Sequence, residues 1–424
     1  MRLLCLSNGH GEDAIALRIL QALQQDASLE EMEPMELAAL PIVGEGQAYK
    51  QHGIPVIGES KSMPSGGFLY MDGRQLARDL QGGLLSLTRS QLHTIKTWAR
   101  QGGMILAVGD IVPLLFAWWS GIPYAFVGTA KSEYYLQDEQ GVLPRPSWFE
   151  QLESSLGSVY LPWERWLMKH PRCRAVFPRD RLTAEVLRRY AIRAFDLGNP
   201  MMDGLEPTGL DFLASSESLA SSSIPLTIAL LPGSRVSEAY ENWQIILQAV
   251  AAIRIEFAAQ ELLFLAAIAP SLDLAPLQQM LEQADWQKVT SSPAAFRQKN
   301  ATLIITTAFN DCIHQGKLAI AMAGTATEQF VGLGKPAIVM PGKGPQFTPK
   351  FAEAQTRLLG ISVSLVASPE AAAGEVRSLL QDAPRLQRIA ENGCRRMGES
   401  GAASRIADCL NQIFSVEAIQ NASS

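Results

Sequence analysis

Of 424 residues only five are cysteine, and Cys5, Cys173, Cys312, Cys394 and Cys409 form neither a Cys-x-x-Cys pair nor a cluster with histidine. That scatter excludes a disulfide frame and a zinc site, and reduced thiols in a cytosol are expected. Positive charge is not in excess. Lys and Arg number 36 against 42 Asp and Glu, a net −6, which is the wrong field for a general nucleic-acid binder. No Asp-x-Asp pair occurs anywhere, so a diphosphate bridged to paired aspartates by a metal is not expected. The first glycine loop is not Gly-x-Gly-x-x-Gly and no acidic residue clearly ends a second strand, which argues against NAD. Gly334-Lys335 is followed by Pro336, so no Walker loop is present either. Long hydrophobic runs are missing too. The opening MRLLCLSNGHGED turns polar too soon for a signal-peptide core. Segment 104–127 approaches membrane length, but two prolines, two glycines and Asp110 interrupt it. Its strand–turn–helix–turn–strand pattern reads as a buried β-α-β piece rather than a span.

What is present is ordinary globular material, 47% hydrophobic and 18% charged, with room for two or three domains. Strands are expected at 2–7, 35–40, 55–57, near Ile105 and Tyr124, at 175–177 and at 195–197. Helices alternate with them, among them a long one over about 75–100 and one at 181–190. After Gly198-Asn199-Pro200 comes SSESLASSSIP (215–225), too polar to pack and read as a linker or surface loop. The alternation then restarts with a strand at 226–231, a helix to about Ala259 and a strand at 262–269. Alternating strands and helices predict parallel sheets covered on both faces, in two αβα domains. A final helix near 402–414 carries Ala403, Ile406, Ala407, Leu410, Ile413 and Phe414 on one face and should dock on a domain surface.

Two glycine loops carry the chemistry. In LAIAMAGTATEQFVGLGKPAIVMP (318–341) a buried strand meets a sharp turn and a short helix. The amides of Gly324, Thr325, Ala326 and Thr327 are placed to face an anion at the helix start, where the partial charge is positive. Glu328, one turn in, could grip a sugar's hydroxyls. In LLPGSRVSEAY (230–240) Gly233 allows close backbone approach, Ser234 and Ser237 bring hydroxyls, and Arg235 offers a forked cation to a diphosphate. Capped helix starts explain either loop alone. The pair describes a nucleotide-diphosphate pocket.

These motifs, with LGNPMMDGL (197–205) and the Val43-Gly44 region, resemble lipid-A-disaccharide synthase in sequence and order, over most of the chain. The resemblance is to the cyanobacterial and plastid branch described as related to that enzyme. It implies the GT-B fold: two Rossmann-like domains facing each other across a cleft, with a C-terminal helix returning to the first. The expected division is 1–205 on the acceptor side, 206–385 for the donor, and 386–424 as helices packing back. The resemblance further implies a UDP-sugar (UDP-GlcNAc-like) donor held by Ser234, Arg235, Gly324, Thr325 and Glu328, a lipid-linked acceptor, and an inverting hexosyltransferase without a cofactor. One loop departs from the pattern. Where the synthases have a GEASGD-like stretch, this chain has Asn8-Gly9-His10-Gly11-Glu12-Asp13, nearer the lipid-acceptor transferases of peptidoglycan and galactolipid synthesis.

An inverting transfer needs a base for the acceptor hydroxyl and help for the leaving diphosphate. Asp110 matches an important Asp of the synthases, and His10 lies on the first loop; either is a base candidate, and either could be a turn or cap residue. Arg235, the helix dipole and Lys343 would stand in for a metal, and Gln346 lies where such folds hold the sugar. Between 165 and 189 eight Arg and Lys face only Asp180 and Glu185, beside Trp163 and Trp166. That run suits either a solvated helix face or anionic lipid headgroups. The expected partners are thus a UDP-sugar, a lipid-linked acceptor, an anionic membrane at its cytosolic face and a second copy of the chain, but no nucleic acid. Two other readings stay open: a non-hydrolysing UDP-sugar 2-epimerase, and a UDP-sugar-binding regulatory protein without turnover.

Overall fold

A computed structural model describes residues 2–26, 35–60, 84–144, 156–212, 224–344 and 347–422. The serine-rich stretch and the start of the helix expected over 75–100 lie outside them. The chain forms two compact units, Met1–Asp203 with Glu399–Ser424, and Gly204–Gly398.

The first unit is built on β1 (Arg2–Ser7), β2 (Glu36–Pro41), β3 (Met104–Gly109), β4 (Tyr124–Gly128) and β7 (Cys173–Pro178), with a small antiparallel pair β5 (Gln137–Asp138) and β6 (Gly141–Val142) after β4. The sheet order is β2-β1-β3-β4-β7, all parallel. Such a sheet must be buried on both faces, which is why its strands are apolar throughout rather than alternating. Leu4, Leu6, Ile105, Ala107 and Phe126 fill one face. Leu3, Cys5, Leu106, Val108 and Val127 fill the other. Segment 104–127 is indeed β3, the helix Ile111–Ser120 and β4, and among the described residues no helix is long and apolar enough to cross a membrane. Two expected strands shrink to single bridges, Val56 with Ala39 and Ala194 with Val176. At the second, the Phe195 amide still reaches Val176 O, but Gly198 at φ +89 and Pro200 then turn the chain away from the edge.

The apolar stripe of the helix Ala402–Ala422 packs with the helix His10–Asp26: Ala403, Ile406, Ala407, Leu410 and Phe414 join Ile15, Ile19 and Leu23 in one cluster. Asp203 fixes its start, accepting from the amides of Gly401 (2.5 Å), Ala402 (3.1 Å) and Ala403 (2.7 Å). Those are the donors a helix N-terminus leaves without intrahelical partners. The helix Ala383–Met397 belongs to the second unit.

The second unit has β8 (Leu226–Leu231), β9 (Leu262–Ala267), β10 (Gln287–Ser291), β11 (Ala294–Gln298), β12 (Ala301–Thr306), β13 (Leu318–Ala321), β14 (Ala337–Val339) and β15 (Val363–Leu365). Their order is β10-β11-β12-β9-β8-β13-β14-β15. Six strands are parallel, and β10–β11–β12 run antiparallel at one edge. The edge hairpin escapes a sequence reading because β10, QKVTS, is exposed along its whole length and has no apolar face.

Candidate functional site

Open parallel sheets take ligands where the strand order reverses, beyond the carboxyl ends of the strands. In the second unit the order reverses between β8 and β13, so the two loops marked by sequence, 232–235 and 322–324, are neighbours. Gly233 adopts φ +98, and a Cβ there would come within 3.3 Å of Met322 O. Asn242 ties the loops together, its Nδ2 donating to Pro232 O (3.0 Å) and Met322 O (3.1 Å). A third loop, 341–347 after β14, is held by the same helix. The Phe347 amide donates to the Glu238 carboxylate, and a Cβ on Gly344 would strike that carboxylate. Glu238 and Asn242 are both buried.

Two helices start at this edge. Val236–Glu256 has Arg235 at its N-cap, Thr325–Gly332 has Gly324, and neither start has a side-chain cap. Gln355 Nε2 donates to Ala323 O (3.0 Å) and braces the second turn. Ser234, Arg235, Thr325 and Lys343 are exposed, and Glu328 is buried in the first turn. Thr327 differs from expectation. Its amide donates to Gly324 O (3.1 Å) and its hydroxyl to Ala323 O (2.6 Å). The helix begins at Gly324, so that amide already belongs to the helix ladder and the side chain locks the turn. The side chain of Ser237, and Gln346 altogether, lie outside the described residues.

In the first unit the reversal falls between β1 and β3, bringing loop 8–13 against Gly109-Asp110. Gly109 lies at φ +132, and a Cβ on it would sit 3.3 Å from Glu12 Cγ and 3.4 Å from Asn8 Cβ. Asp110 caps the helix Ile111–Ser120, its Oδ1 accepting from the Val112 amide (2.9 Å). Burial raises its pKa, opposed by that amide; Glu164 adds to the rise and Lys131 opposes it. Glu12 is pushed up to about 7, mainly by burial, with Asp110 and Asp13 adding and its own amide and Thr129 opposing. Thr129 Oγ1 donates to Glu12 Oε1 at 3.4 Å. Beneath the loop, Ser7 donates to Asp13 (2.5 Å) and Tyr49 to Ser7 (2.6 Å). His10 is the first residue of the helix His10–Asp26; its side chain lies outside the described residues.

Beyond Asp110, Lys131 pairs with Glu164 at 2.5 Å, and Lys131 Nζ stands 5.6 Å from the Tyr160 ring centre. Tyr160 is buried, and its hydroxyl finds no hydrogen-bond partner among the described residues. The basic run 165–189 is partly spent internally: Arg179 donates to Thr129 O (3.2 Å), Arg188 to Ala194 O (2.9 Å), and Arg181 pairs with Glu185 (2.8 Å). Lys169 and Arg189 are exposed. Beside them Trp118 and Trp166 meet edge to face at 5.4 Å, with His170 5.8 Å from Trp166. Trp119, Trp163 and Trp166 are 43%, 58% and 55% exposed.

Sequence reasoning missed Glu12, Lys131, Tyr160, Glu164, Glu238 and Asn242. The last two carried a signal: polar residues one turn apart on a helix whose Ala239, Trp243 and Ile246 are buried. The first four come from two helices and two loops, and no local pattern joins them.

No protein-family model matches this sequence. No curated protein matches it either. Solved structures do resemble it in fold along almost its whole length. A Listeria monocytogenes protein assigned as a UDP-N-acetylglucosamine 2-epimerase has TM-score 0.56 and 15% identity, covering 98% of this chain and 96% of its own. The UDP-GlcNAc 2-epimerase of Neisseria meningitidis, solved with UDP-GlcNAc, has TM-score 0.52 and 14% identity, with 97% and 100% covered. MurG of Acinetobacter baumannii has TM-score 0.51 and 13% identity, with 97% and 99% covered. Identities this low speak to architecture alone, and the architecture they share with this chain is the GT-B fold.

Proposed function

We propose that the chain is a metal-independent hexosyltransferase, moving a sugar from a UDP-sugar to a lipid-type acceptor in the manner of the lipid-A-disaccharide synthase family. The observation that carries the reading is the pairing, at the β8/β13 reversal, of two helix starts without side-chain caps, beside Arg235. Fixed amides and helix dipoles suit a diphosphate, whose charge grows as it leaves. In this reading Ser234, Gly233, Gly324 and Thr325 cradle the diphosphate, Arg235 and Lys343 neutralise it, and Glu328 takes the ribose, with Ser237 and Gln346 kept as donor-side candidates from the sequence. The UDP-GlcNAc bound by the Neisseria structure supports the choice of donor. The exposed Trp119, Trp163 and Trp166 with Lys169 support a lipid acceptor met at an anionic membrane face, since tryptophan favours the lipid–water boundary. Asp110, carried over from the resemblance, and His10, on the first loop, are the base candidates, and a homodimer is a further expected partner state.

Calorimetric titration with UDP and a panel of UDP-sugars, followed by mass-spectrometric search for a glycosylated lipid, tests the whole reading. Binding of a UDP-sugar and a product heavier by one sugar, formed equally in EDTA, is expected. No UDP binding would end it. Sugar-isomer interconversion without acceptor would replace it by the epimerase reading that two of the similar structures suggest by name, and binding with neither activity by a regulatory protein. Failure to pellet with anionic liposomes at low salt would remove the membrane contact.

A further inference from the structure

Gly109 and Gly128 are register partners at the carboxyl ends of β3 and β4. Paired residues of parallel strands face the same side of a sheet. Both positions are taken over by polar groups from elsewhere in the chain. The Glu12 stem lies 3.3 Å from where a Gly109 Cβ would be, and the Tyr160 hydroxyl occupies the place of a Gly128 Cβ. Two adjacent glycines therefore open the sheet edge to a carboxyl group and a phenol. The phenol is buried without a partner among the described residues. A buried hydroxyl left unbonded is costly unless something else satisfies it, so this one is readily explained by a ligand's polar group. Asp110 adjoins the same edge, with one oxygen already committed to the Val112 amide.

We propose that Glu12, and not Asp110, takes the proton of the acceptor hydroxyl, with Asp110 as its charged partner and Tyr160 as the hydrogen bond that positions the acceptor. The proposal rests on the transferase reading above. In the step, the acceptor O–H bond breaks and its proton passes to the Glu12 carboxylate. The oxygen's electron pair forms the bond to the anomeric carbon, and the bond from that carbon to the diphosphate oxygen breaks, its pair leaving with the diphosphate. The division of labour follows from surroundings. Glu12 faces Asp13 on its own helix, Asp110 at the end of β3 and Thr129 after β4, and among the described residues no cation is one of the main groups that shift it. Asp110 has the Val112 amide and Lys131 to hold its charge, against Glu164. Two carboxyl groups set apart in this way are suited to different roles.

The test uses the full chain with 13C-labelled glutamate carboxyls, read by NMR against pH, together with the pH profile of kcat/KM. One carboxyl should titrate near 7, vanish in Glu12→Gln and move to lower pH in Asp110→Asn. Glu12→Gln should lose the neutral limb of the profile and about 10²- to 10⁴-fold in rate. Tyr160→Phe should raise the acceptor KM by up to about 10-fold with the limb intact. Its melting temperature should not fall, because the hydroxyl has no hydrogen-bond partner among the described residues; a purely structural tyrosine would lose stability instead. No glutamate titrating above about pH 5.5, or near-full turnover in Glu12→Gln with the limb retained, would overturn the proposal. A wild-type chain that turns over no nucleotide sugar would overturn the reading beneath it, and the titration would tell that failure from failure of the pair.

Discussion

The two sheet reversals share one topology and are furnished in opposite ways. At β8/β13 the edge is made of backbone: glycines, two helix starts and turns braced by Asn242 and Gln355, with Arg235 and Lys343 exposed beside them. At β1/β3 it is made of side chains: the carboxyl groups of Glu12 and Asp110, whose pKa values burial raises, the Tyr160 phenol and the Lys131–Glu164 ion pair. Backbone dipoles cannot titrate and suit a permanently charged ligand, while half-buried carboxyl groups suit chemistry in which a proton moves. In the proposed reading, one fold used twice separates holding from reacting.

The sharpest way to break that contrast is Lys131→Met. Removing Lys131 leaves the buried charge of Glu164, 2% exposed, without its cation, though the Leu161 amide (2.8 Å) still donates to it, and should cost about 3 kcal/mol of stability in denaturant titration. A loss below about 1 kcal/mol would mean that the pair is effectively solvated. Next comes Arg235→Ala. If that side chain is the charge at the backbone edge, UDP binding should weaken by about 10- to 100-fold with the melting temperature nearly unchanged, since charge-assisted hydrogen bonds contribute about 1.5–3 kcal/mol. Calorimetry decides it, and unaltered affinity would detach Arg235 from the site. The smallest effect is one of sign. The ordinary glutamate value is 4.5 and Glu12 stands at about 7, so folding takes up a proton between those values. Stability is therefore higher below pH 4.5, falls as pH rises through 7, and stays reduced above it. Glu12→Gln, which has no charge to bury, should match the wild type near pH 4.5 and exceed it by about 2 kcal/mol at pH 8, after discounting for the group's partial exposure. Equal pH dependence in the two proteins would place Glu12 in water.

The backbone edge was legible in the sequence because its signals are local. LTIALL, a Pro-Gly-Ser-Arg loop and a helix follow one another directly, as do LAIA, Gly324 and TATEQFVG. The side-chain edge was half legible. Asp110 stood out after an apolar strand, but its neighbours are brought up by strand order from residues 12, 129–131 and 160–164, and one sequence holds no trace of that meeting. Local patterns also overran the ladder at Phe195, which looks like a strand residue and instead packs its ring 5.9 Å from Phe177.

Asp203 and the helix it caps bear on how the protein comes to be folded during synthesis. The helix His10–Asp26 emerges well before Ala403, Ile406 and Leu410, which join its apolar side in one cluster and follow almost 400 positions later. The second unit, Gly204–Gly398, must be translated before those residues can join the cluster. Closure of the first unit is thus tied to synthesis of the second as well as to its own strands, with chaperone binding the expected companion of the interval.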